Sequence, residues 1–226
     1  MAPEQFVDEL KQVFQTHANS DDAIGMSKYM KDKFLFYGIR SPQRKELSRT
    51  FLKLHPPSAQ QLPQLVTLLW NQPERELQYV GITLLEKYIK KQESEFVNTI
   101  EWLIVHKSWW DTVDFLGPLA GALFLKYPQL QSATTDAWIQ SDNMWLNRAA
   151  ILFQLKYGGE TDFELLSKYV LQHASHADFF IRKAIGWALR QYSKFNPDAV
   201  QSFIERHEKH LSTLSKREGM KVILRQ

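Results

Sequence analysis

Apolar residues recur at three- and four-residue spacing along nearly the whole chain, and no stretch alternates apolar with polar positions convincingly. The pattern predicts helices with recognisable starts. SPQRKELSRTFLKL offers Ser41 as a cap with Pro42 at the first helical position. SEFVNTIEWLIV starts from Ser94, TDFELLSKYVLQ from Thr161 or Asp162, and NPDAVQSFIERH from Asn196 with Pro197 following. About a dozen helices joined by short turns of Pro, Asn, Ser or Gly are expected.

The helices also repeat. ELQYVGITLLEKY ends at Tyr88, WLNRAAILFQLKY at Tyr157 and FIRKAIGWALRQY at Tyr192, while another segment closes with LKY at Tyr127. Aligned on the closing tyrosines, the first two match Leu77 with Leu146, Ile82 with Ile151 and Lys87 with Lys156, and place Gln78 opposite Asn147. The tyrosines stand 39, 30 and 35 residues apart. A degenerate helix-pair period of that size predicts an all-α fold, a right-handed α-solenoid of HEAT-like repeats with a concave basic groove. With no linker to split it, residues 1–226 are expected to form one domain.

Composition narrows the chemistry. The 226 residues are 44% hydrophobic and 23% charged, and cysteine is absent, which excludes disulfides, thiolate nucleophiles and cysteine metal sites. The acidic start MAPEQFVDEL lacks the features of an export signal, and no apolar run approaches the roughly 20 residues of a membrane span, so a cytoplasmic protein is expected. Net charge is only +3, yet residues 28–53 carry eight cations, Arg44 and Lys45 among them, against two acids. Tyr29, Phe34, Phe36 and Tyr37 are interleaved with them. Such a cluster suits a phosphate backbone, although a solvated helix face gives the same pattern.

The stretch HKSWWDTVD, residues 106–114, is the most unusual. Ser108 followed by Asp111 reads as a capping box. Trp109, Val113, Leu116, Ala120 and Leu123 form a core stripe; Trp110, Asp114, Gly117 and Gly121 form a second, expected to be open to something bulky. Pro118 deprives the Asp114 carbonyl of its helical partner and favours a kink. Asp114 either faces a ligand there or simply pairs with a neighbouring cation, and Arg148, in an apolar helix, needs an anion, either a carboxylate such as Asp114 or a phosphate. Trp187 shares a face with Lys183, Arg190 and Lys194, fit either to stack on a nucleotide held by those cations or to cover a repeat junction. Trp110, Arg148 and Trp187 are 38 and 39 residues apart, one repeat each. The solenoid expectation therefore sets them along one groove. His173 with His176 and His207 with His210 lack metal-site spacing, so no metal or other cofactor is expected.

A single carboxylate is too little for ordinary glycoside hydrolysis, which uses two. It suffices where the leaving base already carries positive charge, because that base departs neutral without a general acid. SKYMKDKFLFYGIRSPQR, HKSWWDTVD, SDNMWLNRAAILFQLKY, FFIRKAIGWALRQY and LSKREGMK together resemble the AlkD-type DNA alkylation repair glycosylases, HEAT-like repeat proteins, across almost the whole chain. The resemblance implies monofunctional removal of 3-alkylated adenine and 7-alkylated guanine from double-stranded DNA. It implies Asp114 as the catalytic aspartate, Trp110 and Trp187 as the aromatics around the lesion nucleotide, and Arg148 as the active-site arginine. Tyr29 falls at the aromatic position ahead of the basic segment. Arg148, Tyr29, Lys183, Arg190, Arg44 and Lys45 are the candidate DNA contacts, and a monomer with no membrane partner is expected. Gly219 departs from a good helix by about 1 kcal/mol against alanine and is expected to loosen the last repeat. The rival readings are a protein-binding scaffold and a non-catalytic binder of damaged or branched DNA. If residues 28–53 meet phosphates, DNA affinity measured by fluorescence anisotropy falls steeply between low and high salt. A flat response removes those contacts.

Overall fold

The computed structural model describes residues 1–225, which form thirteen α-helices and short 3-10 turns. Among the described residues the only β pairing is an isolated bridge between Leu35 and Glu74. The chain divides into two compact units, Met1–Thr99 and the remainder from Ile100.

The first unit holds α1 (Pro3–Thr16), α2 (Ser20–Tyr29), α3 (Ser41–Leu54), α4 (Leu62–Asn71), α5 (Arg75–Tyr88) and the start of α6 (Phe96–Val105). Helix α1 buries Phe6, Val7, Leu10 and Phe14 and packs on α3 and α4, and α4 packs on α5. The segment joining α2 to α3 is pinned by the first turn of α5. Glu76, fully buried, accepts hydrogen bonds from the backbone N–H groups of Tyr37, Gly38 and Ile39 at 3.1, 3.0 and 3.1 Å. Burial pushes the Glu76 carboxyl up, and those N–H groups oppose the shift. Its neighbour Arg75, also buried, stacks on the Phe34 ring at 3.8 Å. The basic helix α3 therefore starts from a fixed point.

The second unit holds α7 (Trp110–Lys126), α8 (Pro128–Gln140), α9 (Met144–Leu152), α10 (Phe163–Gln172), α11 (Phe179–Tyr192), α12 (Pro197–Arg206) and α13 (Thr213–Gly219). Odd-numbered helices form a row in which α7 packs on α9, α9 on α11 and α11 on α13. Helix α8 packs against α7 and α9, α10 against α9 and α11, and α12 against α11 and α13. This two-layer stack of helix pairs is the local arrangement of an α-solenoid. Val113, Leu116, Ala120, Leu123, Ala149, Leu152, Ile181, Ile185 and Leu189 fill the row with no exposure. Each such Leu, Ile or Val contributes about 1.5–3 kcal/mol relative to exposure.

The repeat has a physical basis in the Gln78 and Asn147 positions. Helix C-termini leave carbonyls without partners. Gln78 Nε2 donates to the carbonyls of Leu69, Trp70 and Gln72 at the end of α4, at 3.3, 3.2 and 2.8 Å. Asn147 Nδ2 donates to those of Trp138, Ile139 and Ser141 at the end of α8, at 2.9, 3.2 and 2.8 Å. Both amides are buried, and each closes off the preceding helix of its own pair.

Helix starts follow the sequence signals at Asp162 and Asn196, whose side chains accept from the N–H groups of Leu165 and Ala199. Ser41 instead begins α3 itself, with Arg40 as the cap and Pro42 in the first turn. The expected openness of the Gly117–Gly121 stripe is corrected by the packing. A Cβ on Gly117 would lie 3.2 Å from the Ala149 carbonyl oxygen, and one on Gly121 only 2.1 Å from that of Phe153. The glycines let α9 and the 3-10 turn after it (Phe153–Lys156) approach α7. Gly219 likewise does not interrupt its helix: it ends α13 in a buried position, and a Cβ there would lie 2.9 Å from Ile204.

Gly121→Ala is therefore expected to cost about 2–3 kcal/mol in urea unfolding, since the backbone of the next pair must move. Gly25→Ala, with open space around its Cβ in the middle of α2, is expected to gain about 0.5–1 kcal/mol.

Candidate active site

Helix α7 starts one residue later than a Ser108 cap would put it. The cap is Trp109, extended at φ −160° and ψ 163°, and Ser108 Oγ donates backwards to the Ile104 carbonyl at 2.6 Å. The capping box expected from Ser108 and Asp111 is thus replaced by a tie to α6, and Asp111 is buried in the first turn. Trp110 is the first helical residue and Asp114 stands one turn beyond it. Helix α7 runs unbroken through Pro118 to Lys126.

Because the glycines draw α9 in, Arg148 reaches Asp114. Its Nε donates to Asp114 Oδ1 at 2.7 Å and its Nη2 to Oδ2 at 3.0 Å, a two-pronged pairing. The remaining nitrogen, Nη1, donates to the backbone carbonyl of Phe180 in the first turn of α11. One guanidinium thereby joins three consecutive helices of the row. The pair is polarised: the Arg148 side chain is 3% exposed and that of Asp114 16%, so the negative end is the one that meets solvent. Burial pushes the Asp114 carboxyl above the usual aspartate range, while the hydrogen bonds and charge of Arg148 pull against that rise.

Aromatic rings pack beside the pair. Trp109, Trp145 and Phe180 form a triangle with centroid separations of 5.6, 5.1 and 5.3 Å, and the Arg148 guanidinium carbon lies 6.0 Å from the Phe180 ring centre. Trp110 and Trp187 are each half-buried, on α7 and α11. The repeat spacing puts Trp110, Arg148 and Trp187 on successive helices of one row, α7, α9 and α11. Lys183 and Arg190 flank Trp187 on α11 and both bind Glu218 of α13. The other candidates belong to the first unit. Tyr29 ends α2 and is 69% exposed, Lys45 is exposed on α3, and the Arg44 guanidinium lies 4.3 Å over the Tyr79 ring.

Among the described residues no group of three or more His, Cys, Asp or Glu is placed to hold a metal ion, and no helix is long and apolar enough to cross a membrane. A family model described as DNA alkylation repair enzyme matches residues 10–223. The chain belongs to the DNA alkylation repair enzyme family. It is also similar to a solved structure of a predicted DNA alkylation repair enzyme from Enterococcus faecalis. The identity is 34%, the TM-score 0.83, and the match covers 92% of this chain and 98% of that one. No curated protein matches.

Three residues of this family member's candidate site are invisible to spacing alone: Phe180, whose backbone rather than ring holds Arg148, Trp145, and Glu218. The FFIRK stretch carries the one local signal, two adjacent aromatics opening a helix. Arg148 cannot shed its charge when its partner is lost. Asp114→Leu is accordingly expected to cost about 3–5 kcal/mol in denaturant unfolding. Adding Arg148→Met to that variant should recover part of the loss, and no recovery would mean that the two side chains are not energetically paired.

Proposed function

We propose that this family member is a monofunctional DNA glycosylase that releases cationic alkylated purines, 3-methyladenine and 7-methylguanine, from double-stranded DNA. The observation that carries the reading is the polarity of the Asp114–Arg148 pair, with its carboxylate end outward and its guanidinium end buried. As the bond from sugar to base lengthens, positive charge moves from the purine onto the deoxyribose. A fixed carboxylate lowers the energy of that state more than of the ground state. The purine leaves neutral, so no second carboxylate is needed as acid. Asp114 can also orient the attacking water through an oxygen lone pair that Arg148 does not occupy.

Trp110 and Trp187 are assigned to the lesion nucleotide, where a tryptophan face attracts a cationic base by about 0.5–2 kcal/mol. Tyr29, Arg44, Lys45, Lys183 and Arg190 are assigned to the DNA backbone, which positions the duplex without reading its sequence. A pure protein scaffold has no use for an outward carboxylate held at both oxygens, and a pure DNA binder gains nothing by having one.

Asp114→Asn keeps the shape and removes the charge. Release of 7-methylguanine from methylated duplex, followed by chromatography, should slow about 10²–10³-fold, with duplex binding nearly intact. Equal rates would remove Asp114 from the chemistry, and no release by the wild type would sink the glycosylase reading. The active carboxylate is the ionised form, so release should decline as pH falls through the raised Asp114 pKa, at a higher pH than an exposed aspartate would give. Arg148→Met removes the opposing pull and should move that limb to still higher pH.

A further inference from the structure

The second ion cluster of the row has the reverse polarity. On α11, Lys183, Trp187 and Arg190 follow one another at four- and three-residue spacing and so share one stripe. Lys183 Nζ lies 2.9 Å from Glu218 Oε1, and Arg190 Nη1 lies 2.6 Å from Oε2. Each carboxylate oxygen therefore takes one cation. The Glu218 side chain is 7% exposed, against 38% for Lys183 and 25% for Arg190. One negative charge against two leaves a net charge of +1, with the positive groups outermost.

The arrangement is built into the packing rather than laid on a surface. Helix α13 presses on α11 where Gly186, next to Trp187, has no side chain, and a Cβ there would lie 2.6 Å from Glu218 Cβ. Ser215 Oγ donates to the Arg182 carbonyl at 2.9 Å and fixes α13 one turn away. The Lys183 hydrogen bond holds the Glu218 carboxyl below its ordinary range, which keeps it charged beside both cations.

Resting on the glycosylase reading above, we propose that Glu218 is a positioning residue whose buried carboxylate holds Lys183 and Arg190 on the two sides of Trp187 as a preformed clamp for the phosphates of the nucleotide that Trp187 contacts. Long cationic side chains ordinarily lose rotamer freedom on meeting a phosphate. Here the carboxylate has ordered them in advance, while its depth keeps it out of reach of the phosphates it would repel.

The test is a double-mutant cycle on binding to an undamaged duplex, read as the slope of log affinity against log salt. In the wild-type background Lys183→Ala should flatten the slope by about 0.9, one phosphate contact. In the Glu218→Gln background the same change should flatten it by less than half as much. Equal flattening in both backgrounds overturns the proposal, as does no flattening in the wild type. Greater flattening with Glu218→Gln would mean that the carboxylate withholds Lys183 from phosphate, the opposite role. Melting temperatures establish that each variant is folded under assay conditions. Should Glu218→Gln not fold, Glu218→Asp, which keeps the charge but withdraws it by one methylene, serves in the same cycle with the same expectations. Base release is absent from this measurement, so a coupled cycle with no glycosylase activity sinks the function and spares the clamp. Activity with an uncoupled cycle does the reverse.

Discussion

The pairing of Asp114 with Arg148 is the constraint on which the second unit is organised. A buried guanidinium must find acceptors for its nitrogens or cost several kcal/mol, and those of Arg148 come from α7 and α11. Reaching both requires α9 to lie close to α7, and the bare backbone of Gly117 and Gly121 is what permits that approach. The aromatic triangle of Trp109, Trp145 and Phe180 packs beside the buried end of the pair, with the Arg148 guanidinium carbon 6.0 Å from the Phe180 ring centre. Packing, hydrogen bonding and local field are thus consequences of one geometry rather than separate features.

A second regularity lies in how the row treats its charges. Around Arg148 the cation is deep and the acid shallow; around Glu218 the acid is deep and the cations shallow. Neither arrangement follows from the net charge of +3, which is nearly neutral for a chain of this length. Burying one partner of each cluster fixes the exposed partner in place and gives each patch its own sign. On the proposed glycosylase reading, a shallow acid flanked along the same row by shallow cations can distinguish a sugar acquiring charge from a phosphate that already has it.

Much of this is legible in the amino-acid sequence. Arg148 announced its need for an anion because a guanidinium inside an apolar helix has few alternatives, and Asp114 was among the candidates. The closing tyrosines and the Gln78–Asn147 correspondence marked the repeat, and the structure supplies the reason: both amides cap the helix before them. Other features were hidden for definite causes. A glycine stripe has the same letters whether it is open space or the contact line of two backbones, and Gly121 is the second. Ser108 with Asp111 fits the capping pattern, but a competing acceptor, the Ile104 carbonyl, takes the hydroxyl. Glu218 lies 28 residues beyond Arg190, so helix periodicity shows the cations of α11 sharing a face and says nothing of what that face meets.

A carboxylate near DNA raises an electrostatic difficulty, since it repels the phosphates that binding requires. On the proposed reading, the ion pair resolves it through distance. Beyond a screening length of about 8–10 Å, Asp114 and Arg148 together act as a neutral dipole whose field has largely decayed. A deoxyribose in contact with the carboxylate would be nearer to the acid than to the guanidinium behind it, and there the negative field survives. On the proposed reading, Arg148 therefore does more than hold Asp114 in place. It confines the influence of the carboxylate to the one atom group on which charge develops, so that binding and chemistry make compatible demands on the same short stretch of helix.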